Sequence, residues 1–203
     1  GDRPVMNVYR GQSGKLWVST DGDGLYAVNT DKGTSFHYGT SIPNTISSIY
    51  EDSRGALWMS SFAGNITIMD TYSGRCRNID LEKELGISIN SVSAMAESSD
   101  GTIWITTMGA GLVTYNPRKD FFSVFPFNSR IPQFLTGILY TSDGSIYLGS
   151  YDGAYCFSDN GDFQLDTISS DNIINSVVEI KEWADGVVEV FWNEDFLRSH
   201  WPA

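Results

Sequence analysis

The chain has 203 residues, 41% of them hydrophobic, and a formal net charge of −12 from 13 Lys and Arg against 25 Asp and Glu. That balance excludes a nucleic-acid or polyanion surface, which needs clustered cations to neutralise phosphates. No apolar run reaches the roughly 18 residues of a bilayer-spanning helix, and the opening Gly1-Asp2-Arg3-Pro4 reads as a trimmed end rather than a signal peptide.

From residue 5 the chain repeats one pattern. The first repeat has an apolar run at Val5–Tyr9, a turn closing on Gly14, a strand at Lys15–Ser19, a second turn to Gly24, a strand at Leu25–Val28, and a weaker one at Ser35–Tyr38. The second runs Ile46–Tyr50, Gly55, Ala56–Ser60, Gly64, Asn65–Met69 and Cys76–Ile79; Leu81–Leu85 after it is one helical turn at most. The third runs Val92–Ala96, Gly101, Thr102–Thr106, Gly111, Leu112–Tyr115 and Phe122–Phe125. The fourth runs Leu135–Leu139, Gly144, Ser145–Gly149, Gly153, Ala154–Phe157 and Phe163–Asp166. A fifth begins at Val177–Lys181 and Gly186 but has no recognisable third or fourth strand, and its tail Asn193–Trp201 resembles none of the others.

The first glycines of these repeats stand 41, 46, 43 and 42 residues apart. Partial period-2 alternation marks the runs as strands. Glycine after Ser, Asp or Arg is hairpin-turn chemistry, because glycine reaches positive φ without a Cβ clash. A period in the forties built from strands indicates a propeller array. The expected fold is therefore all-β: a partial β-propeller of four four-stranded antiparallel blades plus part of a fifth. The chain reads as one propeller fragment, 1–203, with repeats at about 5–45, 46–88, 89–131 and 132–173 and an incomplete 174–203. It reads further as a piece of a longer repeat chain. Trp17, Trp58, Trp104 and Tyr147 recur three residues after their glycines, so they are expected to fill the gap of about 10 Å between packed sheets. Cys76 and Cys156 fall at different places in their repeats and are expected as small buried thiols.

The segments Ile46–Ser61 and Ile89–Thr107, followed by Gly64-Asn65 and by Gly109-Ala-Gly-Leu112, closely resemble the two-component regulator propeller repeat. That repeat runs acidic-Asp-x-x-Gly-x-aliphatic-Trp-aliphatic-Gly-Thr and then Gly-Leu. The resemblance covers roughly residues 5–190 and rests on recurrence in register. Gly64-Asn65, Gly153-Ala154, Tyr147 and Glu189 depart from it. It implies the periplasmic sensor region of a hybrid two-component protein, many of which sense glycan breakdown products. It also implies that this segment itself has no catalytic role.

Neither a catalytic constellation nor zinc spacing is present, and Asp21-Gly-Asp23 lacks the later Glu of a calcium loop. No cofactor or metal is expected. In a propeller, the loops between second and third strands share one face with the loops that lead to the next blade. Phe62 and Tyr151 on those loops would stack on a sugar, and Asp21, Asp23 and Asp152 would accept its hydroxyls; Met108 is a further candidate. The expected partners are an oligosaccharide, and the rest of a parent sensor or a second copy meeting the open blade faces. Two other functions fit the pattern: a protein-interaction module, for which the run Phe121–Phe127 would serve, and a glycan-active enzyme with paired carboxylates.

Overall fold

The computed structural model describes residues 3–11, 14–39, 41–61, 64–126, 128–158, 166–168 and 177–192. Among these residues the fold is all-β, a partial β-propeller of four four-stranded sheets and one two-stranded hairpin. The first sheet contains β1 (Val5–Arg10), β2 (Leu16–Thr20), β3 (Leu25–Asn29) and β4 (Thr34–Tyr38), and the second β5 (Ser48–Glu51), β6 (Ala56–Ser60), β7 (Asn65–Asp70) and β8 (Cys76–Asp80). A single helical turn, α1 (Leu81–Leu85), follows; the Asp80 side chain caps its start and Gly86 its end. The third sheet is β9 (Ser91–Glu97), β10 (Ile103–Met108), β11 (Leu112–Asn116) and β12 (Phe121–Val124). The fourth is β13 (Leu135–Tyr140), β14 (Ser145–Ser150), β15 (Ala154–Ser158) and β16 (Asp166–Ile168), and the closing hairpin is β17 (Val177–Glu182) with β18 (Val188–Trp192).

Each sheet is a meander in chain order, as short Gly-centred turns require. Expected and observed strands agree closely through the third repeat. β16 meets its expected span only at Asp166, the rest of which lies outside the described residues, as does the tail after Trp192. The chain divides into two compact units, 1–93 and 94–203, with the boundary inside β9.

Within the first unit, one face of the first sheet packs on the second. Residues paired across antiparallel strands point to the same side, so Tyr9, Trp17 and Ala27 share one face and Leu25 and Tyr38 extend it. This face covers Ile49, Leu57, Met59 and Met69 of the second sheet. Trp17 is fully buried there, and its Nε1 donates to Glu51 Oε2 at 3.4 Å. Gly11 leaves the room: a Cβ on it would lie 1.8 Å from that same Oε2. Serines two residues after Trp17 and Trp58 tie neighbouring repeats. Ser19 Oγ donates to the Ile46 carbonyl at 3.2 Å, and Ser60 Oγ to the Val92 carbonyl at 3.4 Å.

The second unit repeats the arrangement. Trp104, Leu112 and Phe125 pack on Ile138, Ile146, Leu148 and Phe157. The run beginning at Phe121 is split by strand geometry: Phe122 is buried, Phe125 meets Trp104 edge-on at 5.1 Å, and Phe121 faces outward. It is a fourth strand with its following turn rather than one continuous patch. Tyr147 is half-buried where the indoles are buried. Burial, then the Cys156 sulfur, pushes its phenol up to about 12. Both cysteines are half-buried thiols outside any disulfide among the described residues. No helix among the described residues is long and apolar enough to cross a membrane.

Candidate functional site

The loops expected to carry function are fixed by one repeated device. In the first repeat, Gly22 and Gly24 both donate their amides to the Asn44 carbonyl, at 3.0 and 2.9 Å. In the third, Gly109 and Gly111 donate to the Gln133 carbonyl at 2.8 and 3.0 Å. Isolated bridges Asp21–Thr45 and Met108–Phe134 extend the two junctions. Gly24 has φ of 72°, and a Cβ there would meet the Tyr38 carbonyl oxygen at 3.0 Å, so this close approach requires glycine. On the other side, Ile42-Pro43 and Ile131-Pro132 anchor the exit loops by burying each isoleucine. The loop tips are therefore held before any ligand arrives.

In the second unit this device builds a cavity of about 380 Å³ lined by Pro132, Gln133, Phe134, Tyr151 and Asp152. Phe134 is 46% exposed and Tyr151 52% exposed, so two ring faces are offered to solvent at one concavity. Asp152 Oδ1 accepts from the Ser150 hydroxyl, which is buried, and from the Tyr155 hydroxyl at 3.2 Å. Burial and then the Asp152 charge push the Tyr155 phenol up, keeping it a donor. Met108 does not line the cavity; it positions Phe134 through their bridge. Aromatic faces beside a fixed carboxylate and a primary amide suit a polyhydroxylated ligand, whose rings have apolar faces and hydroxyl edges.

In the first unit the expected acids have structural partners. Thr45 Oγ1 donates to Asp21 Oδ1 at 3.1 Å. Asp23 Oδ2 accepts from the Tyr26 hydroxyl at 2.5 Å, which holds the Asp23 carboxyl below the usual carboxylate range and pushes the Tyr26 phenol up. His37 stacks on Tyr26 at 4.5 Å and places Nε2 2.7 Å from the Asp23 carbonyl oxygen. A separate groove of about 380 Å³ in this unit has Ser41, Pro43, Ser61, Asn65, Thr67 and Asn78 among its lining residues. Phe62 lies outside the described residues. Among the described residues, no group of three or more His, Cys, Asp or Glu side chains could hold a metal ion.

Tyr151 and Asp152 thus share one cavity, which Met108 does not line. Sequence reasoning missed Phe134 and Gln133. A signal was present in the repeated Ile-Pro-x-x-aliphatic of 42–46 and 131–135, whose fourth residue is Thr45 in one copy and Phe134 in the other.

Residues 40–63 and 86–109 match the two component regulator propeller repeat. The fold also matches extracellular domains from B. thetaiotaomicron. One, described as that of hybrid two component system BT3049, is 22% identical with a TM-score of 0.76, over 93% of this chain and 26% of that one. Another, described as that of hybrid two component system BT4673, is 16% identical with a TM-score of 0.76, over 93% and 25%. This chain therefore spans about a quarter of their length. Virginiamycin B lyase from Staphylococcus aureus shares the fold at 16% identity and a TM-score of 0.74, over 94% of this chain and 64% of the lyase. No curated protein matches the chain in sequence.

Proposed function

We propose that this chain is a ligand-sensing propeller segment of a hybrid two-component signalling protein, non-catalytic, on the periplasmic side, and responsive to a glycan fragment. The observation that carries the reading is the cavity where exposed Phe134 and Tyr151 flank Gln133 and Asp152. A sugar ring would stack on Tyr151 or Phe134 while Asp152 accepts a hydroxyl proton. The repeat match and the likeness to extracellular domains of two-component systems support the signalling context and the compartment. The clamped loops support recognition without large rearrangement, since a preorganised site loses little conformational entropy on binding.

Binding is tested by thermal shift and calorimetry against a panel of neutral and acidic oligosaccharides. One class should raise the melting temperature of the wild-type chain, and Tyr151→Ala should abolish that rise while leaving the unliganded midpoint unchanged. New reducing ends or unsaturated products in the same mixtures would reveal turnover and overturn the non-catalytic part. A flat response to the whole panel would sink the glycan reading.

A further inference from the structure

At one register position the repeats differ in a way that opens a groove. Tyr26 lies opposite Val18, Thr67 opposite Met59 and Tyr155 opposite Leu148, and each of those partners stands four residues after its repeat's first glycine. In the first and fourth repeats the tyrosine hydroxyl donates to an aspartate on the preceding loop, Tyr26 to Asp23 at 2.5 Å and Tyr155 to Asp152 at 3.2 Å. In the second repeat Gly64 holds the aspartate's place. It precedes Asn65, whose carbonyl accepts from the Ser61 amide as the Gly24 and Gly153 carbonyls accept from the Thr20 and Ser150 amides. Ring and carboxylate are therefore lost together. The third repeat has a buried Val113 at the tyrosine's place.

The loss shows against the exit loop. The Tyr155 ring packs on the cluster that holds Ile131. Ile42-Pro43 is the counterpart of Ile131-Pro132, but Thr67 fills far less space than a tyrosine. The result is the groove of about 380 Å³, lined by Ser41, Ile42 and Pro43 from the loop and by Ser61, Thr67 and Asn78 from the second repeat. None of its lining residues is charged. The buried Thr67 hydroxyl donates to Asn78 Oδ1 at 2.7 Å, which leaves the Asn78 amide nitrogen as a donor. Ser61 stands where Ser150 does, and the Ser150 and Tyr155 hydroxyls converge on Asp152 Oδ1.

We propose that this groove binds a neutral phenol ring, in the place that tyrosine takes in the fourth repeat. The ring would lie against Ile42 and Pro43, with its hydroxyl at Ser61 or Asn78. Space left by a missing large side chain accepts a small ring of similar shape. The polar lining selects a ring that carries a hydroxyl, because a ring without one leaves desolvated polar groups unpaired. Two sources supply this chemistry, a tyrosyl side chain on a peptide and a free phenol. The groove is a separate site from the cavity at Tyr151 and does not depend on the glycan reading.

The probe is 4-fluorophenol, followed by fluorine NMR with the whole chain. Its signal should broaden with a dissociation constant of about 1 mM, within reach of so small a ligand. Fluorobenzene should bind at least about tenfold more weakly, since it lacks the hydroxyl. Displacement by N-acetyltyrosinamide supports the proposal with a tyrosyl side chain as the source; displacement by p-cresol alone supports it with a free phenol. Thr67→Tyr, which restores the residue of the fourth repeat, should abolish binding. Asn78→Phe should do the same from an exposed position that leaves the core intact. An unbroadened signal with the wild-type chain, equal binding of fluorobenzene, or unchanged binding in both variants would overturn the proposal. So would loss of binding in Tyr151→Ala, which would put the probe in the other cavity.

Discussion

Trp58 Nε1 donates to Asp52 Oδ2 at 3.0 Å, both groups being buried. The same carboxylate receives the Arg54 guanidinium at 2.7 Å and the amides of Arg54 and Ala56 at 3.0 and 2.9 Å. One side chain thus closes the first hairpin turn of the second blade and satisfies the indole at its centre.

Removing that carboxylate leaves a buried indole and two turn amides without an acceptor. Each orphaned donor costs about 1–3 kcal/mol. Asp52→Ala should therefore lower unfolding stability by about 3 kcal/mol, while Arg54→Ala, at a half-exposed partner, should cost about 1 kcal/mol. Urea denaturation of the two variants checks the ordering, and an equal loss for both would contradict it.

The third blade lacks the arrangement. Ser98 stands where Asp52 does, its hydroxyl committed to Asp100 and to the Thr102 carbonyl, and the buried Trp104 Nε1 has no hydrogen-bond partner among the described residues. Transplanting the second-blade solution as Ser98→Asp with Asp100→Arg should raise stability by about 1 kcal/mol. Ser98→Asp alone should destabilise, because its new carboxylate would be buried beside Asp100 rather than beside a cation. Thermal melts of the single and double variants distinguish the two outcomes.

Gly149 is a packing constraint between the fourth sheet and the closing hairpin. A Cβ there would lie 2.8 Å from Val177 Cγ1 and 3.0 Å from Thr136 Oγ1. Gly149→Ala should cost about 2 kcal/mol through overpacking, and Val177→Ala should recover part of it in the double variant. Full additivity of the two losses would count against contact between them.

Alkaline unfolding should carry the mark of Tyr147. Its folded phenol titrates near 12, against an ordinary value of 10.0. A group whose folded pKa is raised contributes stability that is complete below the unfolded value and is lost as pH rises through the folded one. Stability should therefore fall between pH 10 and 12, and Tyr147→Phe should flatten that fall. Tyr9, Tyr26, Tyr38 and Tyr155, whose phenols are also raised, contribute to the remaining slope together with the Cys76 thiol, raised by burial, and the Lys83 ammonium, raised by its bond to Asp80.

The amino-acid sequence alone determined the repeat, its hairpins and the indoles that fill its core. Those depend on local chemistry: glycine at positive φ, alternation along a strand, and one large ring at a constant offset. Tertiary structure alone decided which partners those groups find. Gly11 is small because Glu51, forty residues on, occupies its space. Phe134 belongs to a site because the Gln133 carbonyl clamps its loop and Tyr151 comes to the same cavity. Loop residues meet through the stacking of sheets rather than through spacing along the chain, so no periodicity in the sequence records the encounter.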